Sequence, residues 1–336
     1  MAITLTELAR KAGVSTATVS RALTNSDHPM NEATRQRILK LAQESGYQPN
    51  QVARSLRTNT TKTIGILVEN ILSPFIAPII RGIQDTLKPA GYLGLIINTD
   101  WDEQVEMESL HILNNRQIDG IIFVATWYRD TSLLEQMTKK PYAFVHRHFN
   151  SYSPNSVLAD DRSGARLAVG HLADLGHRRI AFLSGPADWD ASRFRLQGYL
   201  EELAARGLPY DEQLVTVGSW EVDGGHQAVQ QLLTVQDPPT AVFAGNDMIA
   251  LGAIQGAQDM GLQIPQDLAV VGYDNLEFTG FIRPSITTVN LPCHEMGIAS
   301  AELLLRLMNR EIHSSEPIEV PGQLIVRESC GAKPVH

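Results

Sequence analysis

Six short runs without a polar residue, with stretches of helical periodicity between them, constrain the fold of this chain more than any other feature. They are Ile64–Val68, Leu93–Ile97, Ile121–Val124, Ile180–Leu183, Ala241–Ala244 and Leu268–Val271. A strand that is apolar on both faces needs cover on both, which is the condition of a parallel sheet between layers of helix. Helices are expected over Phe75–Lys88, Val105–Asn114, Gly164–Leu175, Ser192–Ala205, Gly224–Leu233 and Met248–Met260, with Gly91, Gly176, Gly207 and Gly261 as stops. The unit repeats from Thr63 onward too often for one comfortable sheet, so two doubly wound parallel-sheet lobes are expected.

The first 46 residues follow a different rule and read as three short helices. Thr4 with Glu7 is a capping-box signature, Gly13 ends the first helix, Ser15 caps a second and Asn31 a third, which Gly46 stops. Gly13-Val14-Ser15 then reads as the turn of a helix-turn-helix, an ordinary small helical hairpin being the alternative. Val19 and Leu23 anchor its second helix, leaving Thr16, Ala17, Ser20 and Arg21 to face outward. Short side chains let such a helix approach base edges in the major groove, and Arg21 can reach a guanine bidentately.

Charge supports the division. Of 28 basic and 37 acidic side chains, nine and four fall in residues 1–62, leaving 19 and 33 in the remainder. A basic module suits the phosphate backbone, while an acidic body weakens non-specific contact with it. Between the two, Pro49 breaks any helix, Asn50 can cap a new one running to Arg57, and Thr58-Asn59-Thr60-Thr61 is a polar linker. A helix of about two turns does not persist alone in water, so it needs a partner. In a dimer, two copies can pair through Val52 and Ala53 and push Leu56 between base pairs in the minor groove; the alternative is a plain interdomain linker.

Several function classes find no support. No GxxxxGK[ST] loop, GxGxxG fingerprint, GxSxG elbow or HExxH pair is present. His146 and His148 lack a third ligand at a convincing spacing, and Cys293 and Cys330 read as reduced thiols. Asp160-Asp161 reads as helix N-terminal charge rather than an acid–base pair. No enzyme activity, cofactor, metal or membrane span is expected, and the absence of a signal-like N-terminus gives a cytoplasmic expectation.

Together, Leu5-Thr6-Glu7-Leu8-Ala9, Gly13-Val14-Ser15, Thr18-Val19-Ser20-Arg21, Gly46-Tyr47-Gln48-Pro49-Asn50 and Ala53-Arg54-Ser55-Leu56 resemble the lactose/galactose-repressor (LacI/GalR) family. The likeness continues through Leu175-Gly176-His177, Ser184-Gly185-Pro186, Asn246-Asp247, Ala250-Leu251-Gly252, Val271-Gly272-Tyr273-Asp274 and Thr287-Thr288. The resemblance implies a repressor that binds a pseudopalindromic operator as a homodimer, Leu56 being the minor-groove lever. It also implies a periplasmic-binding-protein-like sensor with three strand crossings. The domains are then expected to be a 1–46 head, a 47–62 hinge helix and linker, a first lobe of 63–161 with 291–322, and a second of 162–290 with 323–331. The tail after Gln323 carries no apolar heptads, so a dimer rather than a tetramer is expected.

By the same resemblance the effector cleft collects Pro74, Phe75, Arg195, Trp220, Asn246 and Asp274. An aromatic face covers a sugar ring, while Arg, Asn and Asp bind hydroxyls or an acidic group. Two positions depart from the galactoside-binding pattern: Ala125 replaces a polar amide and His146 a carboxylate. Galactosides are therefore not expected; His146 and Arg147 near Arg195 can favour a sugar acid or sugar phosphate over a plain sugar, though only one of the two can face the cleft from a strand. The alternative reading is a ligand-binding protein of the periplasmic type without DNA function.

Overall fold

The computed structural model describes residues 3–24, 30–47, 55, 58, 60–125, 140–146 and 154–332. The proposed hinge contacts Asn50, Ala53 and Leu56, and Arg147, lie outside the described residues. The chain divides into two units, residues 1–62 and 63–336.

The first unit contains α1 (Leu5–Ala12), α2 (Thr16–Thr24) and α3 (Glu32–Glu44). Each start is capped by the side chain the sequence offers. Thr4 Oγ1 accepts from the Glu7 amide at 3.3 Å while the Glu7 carboxylate accepts from the Thr4 amide at 2.8 Å. Ser15 Oγ accepts from the Thr18 amide at 3.1 Å, and Asn31 Oδ1 from the Ala33 amide at 2.9 Å. Gly13 takes φ 63°, a left-handed value that a β-carbon disfavours, and so turns the chain between α1 and α2. Leu8, Ala9, Ala12, Val19, Ala22, Ile38 and Ala42 form the buried core. Arg37 crosses to donate to the Ala12 carbonyl at 3.0 Å, satisfying a free end of α1.

The second unit holds two six-stranded sheets. In chain order its elements are β1 (Thr63–Val68), α4 (Ile76–Leu87), β2 (Leu93–Asn98), α5 (Glu103–Asn115), β3 (Gly120–Val124), β4 (Tyr142–Val145) and β5 (Ser156–Ala159). There follow α6 (Asp161–Asp174), β6 (Ile180–Ser184), α7 (Asp190–Ala205), β7 (Val215–Val217), α8 (Val222–Leu232), β8 (Ala241–Ala244), α9 (Asp247–Asp259), β9 (Ala269–Asp274) and β10 (Thr287–Asn290). The chain ends with α10 (Cys293–Met308), β11 (Ile318–Val320) and β12 (Leu324–Ile325).

The first sheet has the order β11-β5-β4-β3-β1-β2 and is parallel throughout. The second, β12-β10-β9-β8-β6-β7, is parallel except for β12, which runs against β10. The chain thus passes between sheets three times: after β5, after β10, and between β11 and β12. One continuous apolar cluster runs from Ile64, Ile66 and Val145 of the first sheet to Phe182, Val271 and Tyr273 of the second. Helix α10 returns to the first lobe and packs on α4. Gly82 and Gly297 make that approach possible, because a β-carbon on either would run into the other helix's backbone. No helix among the described residues is long and apolar enough to cross a membrane.

Candidate functional site

Two surfaces carry the residues singled out above. In the head, Val19 and Ala22 of α2 are buried against the other two helices, whereas Thr16, Ala17 and Arg21 are exposed and Ser20 half-buried. The packing therefore fixes which face of α2 is presented outward. That face carries one cation and small side chains, the composition that permits close approach to base edges.

In the sensor, the structure brings together Arg195, Trp220, Asn246 and Asp274 of the second lobe. Asp274, Asn246 and Trp220 stand at or just beyond the carboxyl end of a strand or at the start of a helix, where crevices form in parallel sheets, and Arg195 reaches them from the second turn of α7. Asp274 closes β9 at φ 105° and Asn275 follows at φ 58°, two left-handed residues that are strained without glycine. Three contacts hold this turn. The Leu276 amide donates to Asp247 Oδ2 at 2.7 Å, the Asn275 amide to Thr288 Oγ1 at 3.3 Å, and Arg327 Nη2 to Asn275 Oδ1 at 2.7 Å.

Arg195, on α7, is only 3 % exposed. Its Nε and Nη2 both lie on Asp161 Oδ1, at 2.8 and 2.7 Å. Nη1 donates to the Gly245 carbonyl and stands 3.8 Å from Asp274 Oδ1. The guanidinium lies over the Tyr273 ring, 3.7 Å from its centroid, and 5.8 Å from that of Trp220. Burial opposes its charge, but Asp161 and then Asp274 outweigh burial and hold its pKa above the usual value. Asp274 itself is raised: burial dominates, and repulsion from Asp247 and Asp161 adds to it against the attraction of Arg195. Asp247 is pushed up to about 7, chiefly by burial, which the hydrogen bonds from Thr288 Oγ1 and the Leu276 amide only partly offset.

Trp220 lies on backbone that only glycine allows, since β-carbons at Gly185 and Gly245 would press into its ring. Trp189, at the start of α7, meets it edge-on at 5.7 Å between centroids. Asn246 caps α9 by accepting from the Ile249 amide at 2.8 Å, and its Nδ2 donates to the Trp220 carbonyl at 3.0 Å. The amide thus joins the aromatic wall to the helix. Pro74, Phe75 and His146 stand on the first lobe: Pro74 is exposed, Phe75 is the residue before α4 and packs on the apolar core, and His146 follows β4 at φ 57°.

Asp161, Tyr273, Asp247 and Arg327 also build this site. In the sequence, Asp160 and Asp161 together read as helix N-terminal charge. Asp160 does cap α6, through the Ser163 amide at 2.9 Å, but Asp161 turns inward to Arg195. The arrangement can present aromatic faces, amide and carboxyl groups to a polar ligand.

The family model for bacterial regulatory proteins of the lacI family matches residues 4–50, and that for a periplasmic binding protein-like domain matches residues 169–330. The chain is similar to the HTH-type transcriptional repressor CytR of Escherichia coli (strain K12), with 37 % identity over 99 % of this chain and 98 % of that one. Its fold is similar to that of the lac repressor dimer bound to operator and the anti-inducer ONPF, with a TM-score of 0.80 and 27 % identity over 99 % of this chain and 100 % of that one. A complex of the transcriptional regulator CelR with cellobiose matches with a TM-score of 0.69 and 32 % identity over 97 % and 99 % of the two chains.

Proposed function

The chain belongs to the LacI family of bacterial regulatory proteins, and on that premise we propose that it is a transcriptional repressor whose hold on operator DNA is set by a small sugar-like effector between the sensor lobes. The observation that carries this reading is α2, whose Val19 and Ala22 are locked inside the head while Thr16, Ala17 and Arg21 are exposed. The head is residues 1–46, the hinge 47–62, the first lobe 63–161 with 291–322, and the second 162–290 with 323–331. Thr16, Ala17, Ser20 and Arg21 meet the major groove, and Asn50, Ala53 and Leu56 of the hinge the minor groove. Pro74, Phe75, His146, Arg195, Trp220, Asn246 and Asp274 receive the effector.

The regulator works as a homodimer on an operator with two half-sites. The open edge of the first sheet at β2, where Leu93 is 68 % exposed, supports a second copy as its cover. The effector shifts DNA affinity only by binding one arrangement of the lobes better than the other, and operator then alters effector affinity by the same factor. No catalytic step belongs to this cycle, and a protein that acts on the bacterial genome works in the cytoplasm.

Selection of bound sequences from a random duplex pool tests the reading. It is expected to yield two inverted half-sites, and Arg21→Ala to relax one position in each at a cost of about 1–3 kcal/mol. Recovery of no consensus would overturn it.

A further inference from the structure

The outward face of α2 is chemically sparse. Burial of Val19 and Ala22 fixes the rotation of the helix, and Ser15 and Thr18 spend their hydroxyls on its start. The two oxygens lie 2.8 Å apart, and Ser15 Oγ also accepts from the Thr18 amide at 3.1 Å. Ala17 and Arg21 are both exposed and stand four residues apart, so they share one face of the helix and are separated by about 6 Å along its axis. Arg21 brings hydrogen-bond donors to a base edge, whereas Ala17 brings a methyl group and nothing else. A side chain without donor or acceptor distinguishes bases by apolar contact alone. The apolar group that base pairs offer in the major groove is the 5-methyl group of thymine. Cytosine lacks it, and 5-methylcytosine carries it at the same ring position.

We propose that Ala17 reads the 5-methyl group of a pyrimidine, which makes the repressor sensitive to cytosine methylation, as well as to thymine, at one position of each half-site. This rests on the reading of α2 as the helix that enters the major groove. Successive base pairs are about 3.4 Å apart, so the methyl-dependent position lies within about three base pairs of the guanine that Arg21 contacts. Burying one methyl group against another changes affinity by about fourfold in each half-site.

The test uses the full chain and the operator recovered by selection, with binding followed by fluorescence anisotropy. Each thymine is replaced in turn by uracil, in both half-sites at once. Binding is expected to weaken by roughly tenfold or more at one position near the Arg21 guanine, the product of two fourfold losses. With a C·G pair at that position, 5-methylcytosine is expected to bind more tightly than cytosine by the same factor. Ala17→Gly removes the methyl group of the protein and is expected to erase both differences while leaving the preference for the guanine. Should Ala17→Gly fail to fold, Ala17→Ser sets a hydroxyl against the methyl group and is expected to erase them too.

Equal binding of thymine and uracil at every position would overturn the proposal, as would a methyl dependence that survives in the folded Ala17 variants. An operator that Arg21→Ala relaxes, yet that is indifferent to its methyl groups, would leave the repressor reading standing and remove this one.

Discussion

The head and the sensor solve opposite problems with opposite interiors. Among the described residues, four of the seven that form the buried core of the head are alanines, and none of the seven carries a charge. Its helices pack closely, and everything chemically distinctive faces outward. The sensor buries Arg195 and three aspartates, Asp161, Asp247 and Asp274. Its distinctive chemistry lies inside, held by contacts that span long stretches of sequence. A surface meant to read another macromolecule needs only a rigid apolar floor. A pocket that distinguishes small polar molecules needs desolvated polar groups, which are costly unless paired.

Three experiments bear on this contrast. Arg195→Ala leaves Asp161 and Asp274 without their cation and is expected to cost the sensor about 3–5 kcal/mol. All four tryptophans lie beyond residue 62, so tryptophan fluorescence during denaturation reports the sensor alone; an unchanged midpoint would break the contrast. Leu8→Ala, at the centre of the head, is expected to cost about 2–5 kcal/mol there. It should abolish operator binding while the tryptophan transition stays in place, and a shift of that transition would show that the two interiors are not independent.

The third experiment is the gentlest and uses pH. The folded sensor keeps a proton on Asp247 up to about pH 7, whereas the unfolded chain releases it near the usual aspartate value. Stability therefore falls as pH rises through this window and levels off above it. Asp247→Asn has no such proton to lose, and the decline between pH 5 and 7 is expected to be smaller by on the order of 2 kcal/mol. Parallel curves for the two proteins would remove Asp247 from the account.

Legibility in the sequence follows the same divide. The head's caps were readable because Thr4 and Glu7, Ser15 and Thr18, or Asn31 and Ala33 are neighbours in the chain. The six apolar runs likewise became β1, β2, β3, β6, β8 and β9. Strands such as β5 and β10 were harder to see, being four residues long and beginning with Ser156 and Thr287, and β11 carries Glu319 at its centre. In the cleft, family likeness pointed to Arg195, Asn246 and Asp274, but nothing local pointed to their supports. Asp161 lies 34 positions from Arg195, and Arg327 lies 52 from Asn275. Only the fold makes those pairs neighbours.

The passage of the chain between sheets also sets an order of assembly. Helix α10 and strand β11 belong to the first lobe, yet they follow the whole run from α6 to β10. While the ribosome is still making the second lobe, the first therefore lacks the helix that covers Ile79 and Ile83 of α4. A nascent chain halted near residue 290 holds a first sheet that lacks β11 and has an uncovered apolar face, the kind of intermediate that associates with its own kind or recruits a chaperone. The interleaving that ties the lobes together in the finished protein thus makes premature termination hazardous, and it gives α10 and β11 a part in folding that comes after the whole second lobe.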